Sequence, residues 1–177
     1  MSERVVAPHG AWTSPISPRM LATSSVVLSE PWIDDGAVYW HESRPAEDGR
    51  GVVVRGGPWA APVDVTPEGS NVRSRVHEYG GGAWVVHRGT VVFSNDDDRR
   101  LHRLDVGGEP EPITPETGGL HRFADGCVTA DGARWIGGRE RHAESGRVVD
   151  VVNELVVVPS DGSAEPDIVA GGRDFYS

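Results

Sequence analysis

The run His77-Glu78-Tyr79, followed by Gly80-Gly81-Gly82, brings together the side chains in this chain best suited to hold a ligand: an imidazole, a carboxylate and a phenol in succession. On an inner strand facing a channel, such a carboxylate would take a free amine through a charge-assisted hydrogen bond. A plainer reading stands beside it and weighs more. Arg73, Arg75 and Glu78 would form a charged turn network, and the glycines would let strands pack closely. Asn95-Asp96-Asp97-Asp98 has the oxygen ligands a hard cation needs, but its acids are consecutive and no distant Glu completes an EF-hand pattern. Next to Arg99-Arg100 it reads as a solvated hairpin turn. His87, His102, His121 and His142 are scattered without metal-ligand spacing, so no metal site is expected. No Gly-x-Ser-x-Gly string is present, and a nucleophile elbow requires one. All 17 basic residues are arginine, so there is no lysine for a Schiff base or a P-loop. No catalytic residue and no cofactor is assigned.

The elements that would carry these residues are short strands repeating about every fifty residues. Ala37–Trp40, Thr90–Ser94 and Ala133–Gly137 look alike, and each precedes a second apolar strand: Val52–Arg55, Leu101–Asp105 and Glu154–Val158. Each unit closes on a Pro/Glu-flanked piece, at Pro62–Glu68, Pro112–Glu116 and Pro166–Val169. Asp34-Asp35-Gly36, Arg88-Gly89 and Ala130-Asp131-Gly132 supply turns whose residues accept positive φ. A fixed period of this size, built from short strands, marks a β-propeller blade. A β-sandwich is the competing all-β architecture, but it does not require the near-constant spacing. Trp32, Trp40, Trp84 and Trp135 fall at strand positions and are expected to pack blades.

Ahead of the repeat, Ser14-Pro15 would cap a short helix reaching about Leu21. Hydrophobic content of 37%, with 23 glycines and 13 prolines in 177 residues, suits many strands joined by tight turns. The net charge of −10 argues against nucleic acid, which selects a basic patch. No apolar stretch approaches bilayer length, and no charged leader with an apolar run is visible, so a cytoplasmic location is the expectation. The single cysteine, Cys127, is expected as a buried strand-entry residue.

Local words go further than the repeat. The run Arg73-Ser74-Arg75-Val76-His77-Glu78-Tyr79-Gly80-Gly81-Gly82 resembles a propeller segment of the prolyl oligopeptidase family of serine peptidases, in its dipeptidyl-peptidase and acylaminoacyl-peptidase-like branch. Trp12 with Ser14-Pro15-Ile16, Leu28-Ser29-Glu30-Pro31, Tyr39-Trp40 with Glu42-Ser43-Arg44-Pro45, Phe93-Ser94-Asn95, Asn153-Glu154-Leu155 and Asp174-Phe175-Tyr176-Ser177 follow in the same order. The resemblance implies a propeller of seven or eight blades that caps an α/β-hydrolase domain and admits short peptides to a Ser-Asp-His triad. It assigns no role to His77, Glu78 or Tyr79.

The expected fold is therefore all-β: an N-terminal segment over 1–23 and a partial propeller over 24–177. Its blades lie at about 24–68, 76–117 and 121–172, and 173–177 would open a fourth. The expected function is the non-catalytic propeller portion of a serine peptidase, inactive by itself and gating short peptides to a hydrolase domain that this chain lacks. The alternative is a stand-alone propeller scaffold that binds a peptide or protein. Open blade edges predict self-association, and neither nucleic acid nor membrane is an expected partner.

Overall fold

The computed structural model describes residues 6–11, 14, 16, 17, 20 and 25–172. The strands form three four-stranded antiparallel sheets, each a meander in chain order. The first holds β1 (Val27–Asp34), β2 (Ala37–Arg44), β3 (Arg50–Gly57) and β4 (Ala60–Asp64). The second holds β5 (Trp84–His87), β6 (Thr90–Ser94), β7 (Leu101–Asp105) and β8 (Glu111–Pro112). The third holds β9 (His121–Val128), β10 (Arg134–Arg141), β11 (Val152–Pro159) and β12 (Asp167–Gly172). These are three propeller-type blades. The expected helix from Ser14 to Leu21 and the expected fourth-blade opening at 173–177 fall mostly or wholly outside the described residues.

Side-chain alternation explains how the sheets stack. On β6, Val91 and Phe93 point into a core shared with the first sheet, beside Tyr39, Val53 and Trp84. Val92, between them, points the other way, to a core with Phe123, Trp135, Val156 and Val158 of the third sheet. The inner strands of the middle sheet are thus buried on both faces, which is why β5 and β6 read as near-continuous apolar runs. Each fully buried Val or Phe contributes about 1.5–3 kcal/mol relative to exposure. Contacts between sheets gather on their first strands, with β5 touching both β1 and β9, so the sheets radiate from an inner edge made by first strands.

Polar latches close the junctions. Asp34 at the end of β1 accepts hydrogen bonds from the Arg88 and Gly89 amides at 2.9 and 2.7 Å. The Ser74 and Ser94 hydroxyls both donate to the Phe123 carbonyl at 2.7 Å. Gly82 and Asp125 exchange two bonds: the Gly82 amide donates to the Asp125 carboxylate at 2.6 Å and the Asp125 amide to the Gly82 carbonyl at 2.8 Å.

Several expectations are corrected. Cys127 is exposed. Asp125 adopts a left-handed φ of 56° and the β9–β10 register slips between Ile136 and Gly138, so the alternation that buries Phe123 turns Cys127 outward. Strand β5 begins at Trp84, because Gly80–Gly82 serve the junction with Asp125 and not the ladder. Strand β10 runs four residues past Gly137, where the recurring passage ends, to Arg141. Trp84 and Trp135 are buried as expected, while Trp32 packs edge-on against Trp84 with part of its ring in solvent.

Candidate functional site

In an up-and-down blade, the links between blades and the second-to-third-strand connections emerge on one face. The His77 segment lies in the link from β4 to β5, and residues 142–151 connect β10 to β11, so both stand on that face. Between them is a cavity of about 430 Å3 lined by His77, Glu78, Tyr79, Glu140, His142 and Val148, among others. All three residues singled out from the sequence therefore meet at one concavity.

They do so from a turn, not from an inner strand. The Glu78 amide donates to the Arg75 carbonyl at 3.0 Å and the Gly80 amide to the Val76 carbonyl at 2.9 Å. His77 and Glu78 take left-handed φ values of 54° and 67°, a conformation that disfavours residues with a Cβ. What holds them comes from the third blade. The Glu140 carboxylate, almost fully buried at the end of β10, accepts the His77 amide at 3.2 Å on both oxygens. It also lies 3.3 Å from the His77 Nδ1 and 2.9 Å from the His142 Nε2.

Arg122 on β9 completes the cluster. One of its terminal nitrogens donates to the Arg75 carbonyl at 2.8 Å and to Glu78 at 2.6 Å, and sits 3.5 Å from Glu140. The hydrogen bond from Arg122 holds the Glu78 carboxyl below the usual carboxylate range. Above this polar floor the rim is apolar and open: Tyr79, Val148 and Val149 are all exposed. Tyr79 leans on the His77 ring with centroids 5.7 Å apart.

The charged-turn reading survives in altered form. Glu78 pairs with Arg122, while Arg75 pairs with Asp96 at 2.9 Å. Asp96 also pairs with Arg99 and is buried, so Asn95–Asp98 is a packed ionic turn and not a solvated one. Burial raises the Asp96 pKa, but Arg75 and Arg99 outweigh it and keep the carboxyl below its ordinary range. Asp98 behaves alike, held down by His102 at 2.8 Å against its own burial. Among the described residues no group of His, Cys, Asp and Glu has the geometry of a metal site. None of their helices is long and apolar enough to cross a membrane.

Sequence reasoning missed Glu140 and set His142 aside as a scattered histidine. Their signal is the two-residue spacing of Glu140 on β10 and His142 just beyond its end, which suits two side chains on one side of an extended chain.

No protein-family model matches the chain, and no curated protein matches it. Solved structures do. A Mycobacterium tuberculosis puromycin-hydrolyzing peptidase shares 34% identity over 98% of this chain with a TM-score of 0.84. A puromycin hydrolase, solved also as a mutant complexed with PGG, shares 34% over 89% with a TM-score of 0.77. The chain belongs to the prolyl oligopeptidase family. It corresponds to propeller in those relatives and spans 29% and 25% of their own lengths. A structure of prolyl endopeptidases, at 14% identity and a TM-score of 0.53, shares the fold.

Proposed function

We propose that this chain forms the part of a peptidase propeller that gates the entry of short peptides to an α/β-hydrolase domain carrying a Ser-Asp-His triad. The observation that carries the reading is 34% identity to puromycin-hydrolyzing peptidases over nearly the whole chain, in a sequence without a nucleophile elbow. In this reading the complete ring of blades would leave a mouth that admits an extended peptide and rejects a folded protein. The His77–Glu140 junction supports that role by fixing the inter-blade link and the 142–151 loop to each other. The dipeptidyl-peptidase and acylaminoacyl-peptidase-like branch, short peptides as substrates and a cytoplasmic location belong to the same proposal.

Self-association of the isolated chain belongs to it too. Val27, Leu28 and Ile33 on β1, and Ile168 and Val169 on β12, are exposed at the two ends of the stack. Two measurements test the proposal. Puromycin and aminoacyl anilides incubated with the 177-residue chain should not be hydrolysed, and turnover by the purified chain would overturn the non-catalytic reading. The reading frame beyond Ser177 should encode further blades, then Gly-x-Ser-x-Gly with a later Asp and His. An immediate stop codon overturns the gating role.

A further inference from the structure

On the face opposite the His77 turn, the second and third blades enclose a cleft of about 310 Å3. The β5–β6, β9–β10 and β11–β12 turns form it, and its polar lining is His87, Arg88, Thr90, Arg103, Asp131 and Ser160. Two of these side chains are unsatisfied. Ser160 is 3% exposed, and its backbone is pinned by its amide to the Ala133 carbonyl at 2.9 Å. Its hydroxyl nevertheless has no partner among the described residues, and neither does the buried His87 Nε2. Buried polar atoms are almost always paired, so two orphans in one cleft wall mark a place where a ligand atom belongs.

Donor supply selects the ligand. Two guanidiniums line this cleft, beside the one carboxylate of its lining, Asp131. The exposed Arg88 side chain has no partner among the described residues. Arg103 shares its terminal nitrogens between Asp105, at 3.2 and 3.4 Å, and the Ser160 carbonyl at 3.5 Å. The acids nearby are already engaged. Asp105 accepts the Thr90 hydroxyl at 2.6 Å, Asp131 accepts the Thr129 hydroxyl and the Ala133 amide at 2.6 and 3.0 Å, and Asp34 caps the Arg88 and Gly89 amides. What remains is donor-rich: guanidinium, hydroxyl and imidazole.

We propose that this cleft binds a small oxyanion, a carboxylate or a phosphate group, clamped by Arg88 and Arg103 and hydrogen-bonded by the Ser160 hydroxyl and the His87 Nε2–H. Guanidinium forks match the geometry of both groups, and charge-assisted bonds of this kind dominate oxyanion recognition. Gly132 forms the wall beside the imidazole: its φ of 78° selects glycine, and a Cβ there would meet the His87 ring at an ordinary contact distance of 3.5 Å.

Equilibrium dialysis of the 177-residue chain against labelled inorganic phosphate, and separately against labelled acetate, tests the site. One equivalent of at least one anion should bind at low ionic strength, and sodium chloride should weaken it. Phosphate alone points to a phosphorylated ligand, and acetate alone to a carboxylate such as a peptide C-terminus. Arg88→Gln, which removes no protein contact, should weaken binding about tenfold, and Arg103→Gln at least as much. Near-ultraviolet circular dichroism checks that each variant is folded, and Arg88→Gln decides alone should Arg103→Gln unfold. The proposal is overturned when neither anion binds at millimolar concentration, or when folded Arg88→Gln binds as tightly as the parent.

Discussion

Replacing Glu140 with glutamine removes one charge and half the acceptor capacity from the hub that ties the His77 turn to the third blade. The carboxylate serves the His77 amide, the His77 and His142 rings and, at longer range, Arg122. An amide of the same shape keeps one oxygen and points an NH2 group at donors already there. Hydrogen bonds to a charged acceptor contribute about 1.5–3 kcal/mol each, and Arg122 retains Glu78 as a partner. The expected loss is about 2–3 kcal/mol, below the figure for stranding a fully buried ion. With an m-value of about 2–3 kcal/mol/M, this moves the urea midpoint down by about 1 M. Amide exchange at His77 should accelerate in native conditions, because its acceptor is the altered group. Glu144→Gln, in the adjoining 142–151 loop and exposed, serves as the control and should leave both readouts unchanged. A midpoint within about 0.2 M of the parent, with His77 exchange unaltered, would refute the claim that this junction rests on Glu140.

Two glycines and the acids of the ionic turn give three further expectations. Gly81→Ala would place a Cβ 2.6 Å from an Asp125 carboxylate oxygen and 3.0 Å from the Ala124 Cβ. The carboxylate can swing away only by releasing the Gly82 amide, and buried Ala124 cannot move, so a loss of about 2 kcal/mol is expected by urea denaturation. Gly57→Ala, with open space around it and no positive φ, should be neutral or slightly stabilising. Asp96 and Asp98 are both held below their ordinary range in the fold. Their contribution is complete above the unfolded carboxyl pKa near 3.9 and is lost as pH falls through the lower folded values. Stability followed by thermal melting should therefore drop below about pH 4, and in Asp96→Asn that acid-dependent part should shrink.

The repeat was legible because strand alternation and turn chemistry are local. Ala37–Trp40, Thr90–Ser94 and Ala133–Gly137 each mark the second strand of a sheet. The unbroken Val91-Val92-Phe93 carries the mark of a strand buried on both faces, which the repeat reading did not use. What escaped depends on partners far along the chain. Asp96 looked solvated beside Arg99 and Arg100, but Arg75, from the inter-blade link, reaches over and buries it. His77 and Glu78 looked first like part of a turn network with Arg73 and Arg75, and second like channel residues, yet their partners Glu140 and Arg122 belong to the next blade. Cys127 misled for a different reason. A single left-handed residue at Asp125 shifts the register, and Asp tolerates that conformation well enough that no glycine advertises it.

The backbone of the His77 turn provides a test of why it carries side chains at all. Left-handed φ costs a residue with a Cβ about 1 kcal/mol relative to glycine, and the chain does use glycine two positions later, where Gly80 has φ of 91°. Keeping His77 and Glu78 in that conformation is reasonable only when their side chains return more than the strain. They do so through Glu140 and Arg122, both on the neighbouring blade. His77→Ala removes the ring contact and keeps the strain, while His77→Gly removes both, and each preserves the amide bond to Glu140. The alanine variant should thus be the less stable of the two by about 1 kcal/mol, the reverse of the order expected in an ordinary strand. Equal stabilities, or a glycine variant below alanine, would mean that the turn is not strained and that its side chains are there for something other than holding the blades together.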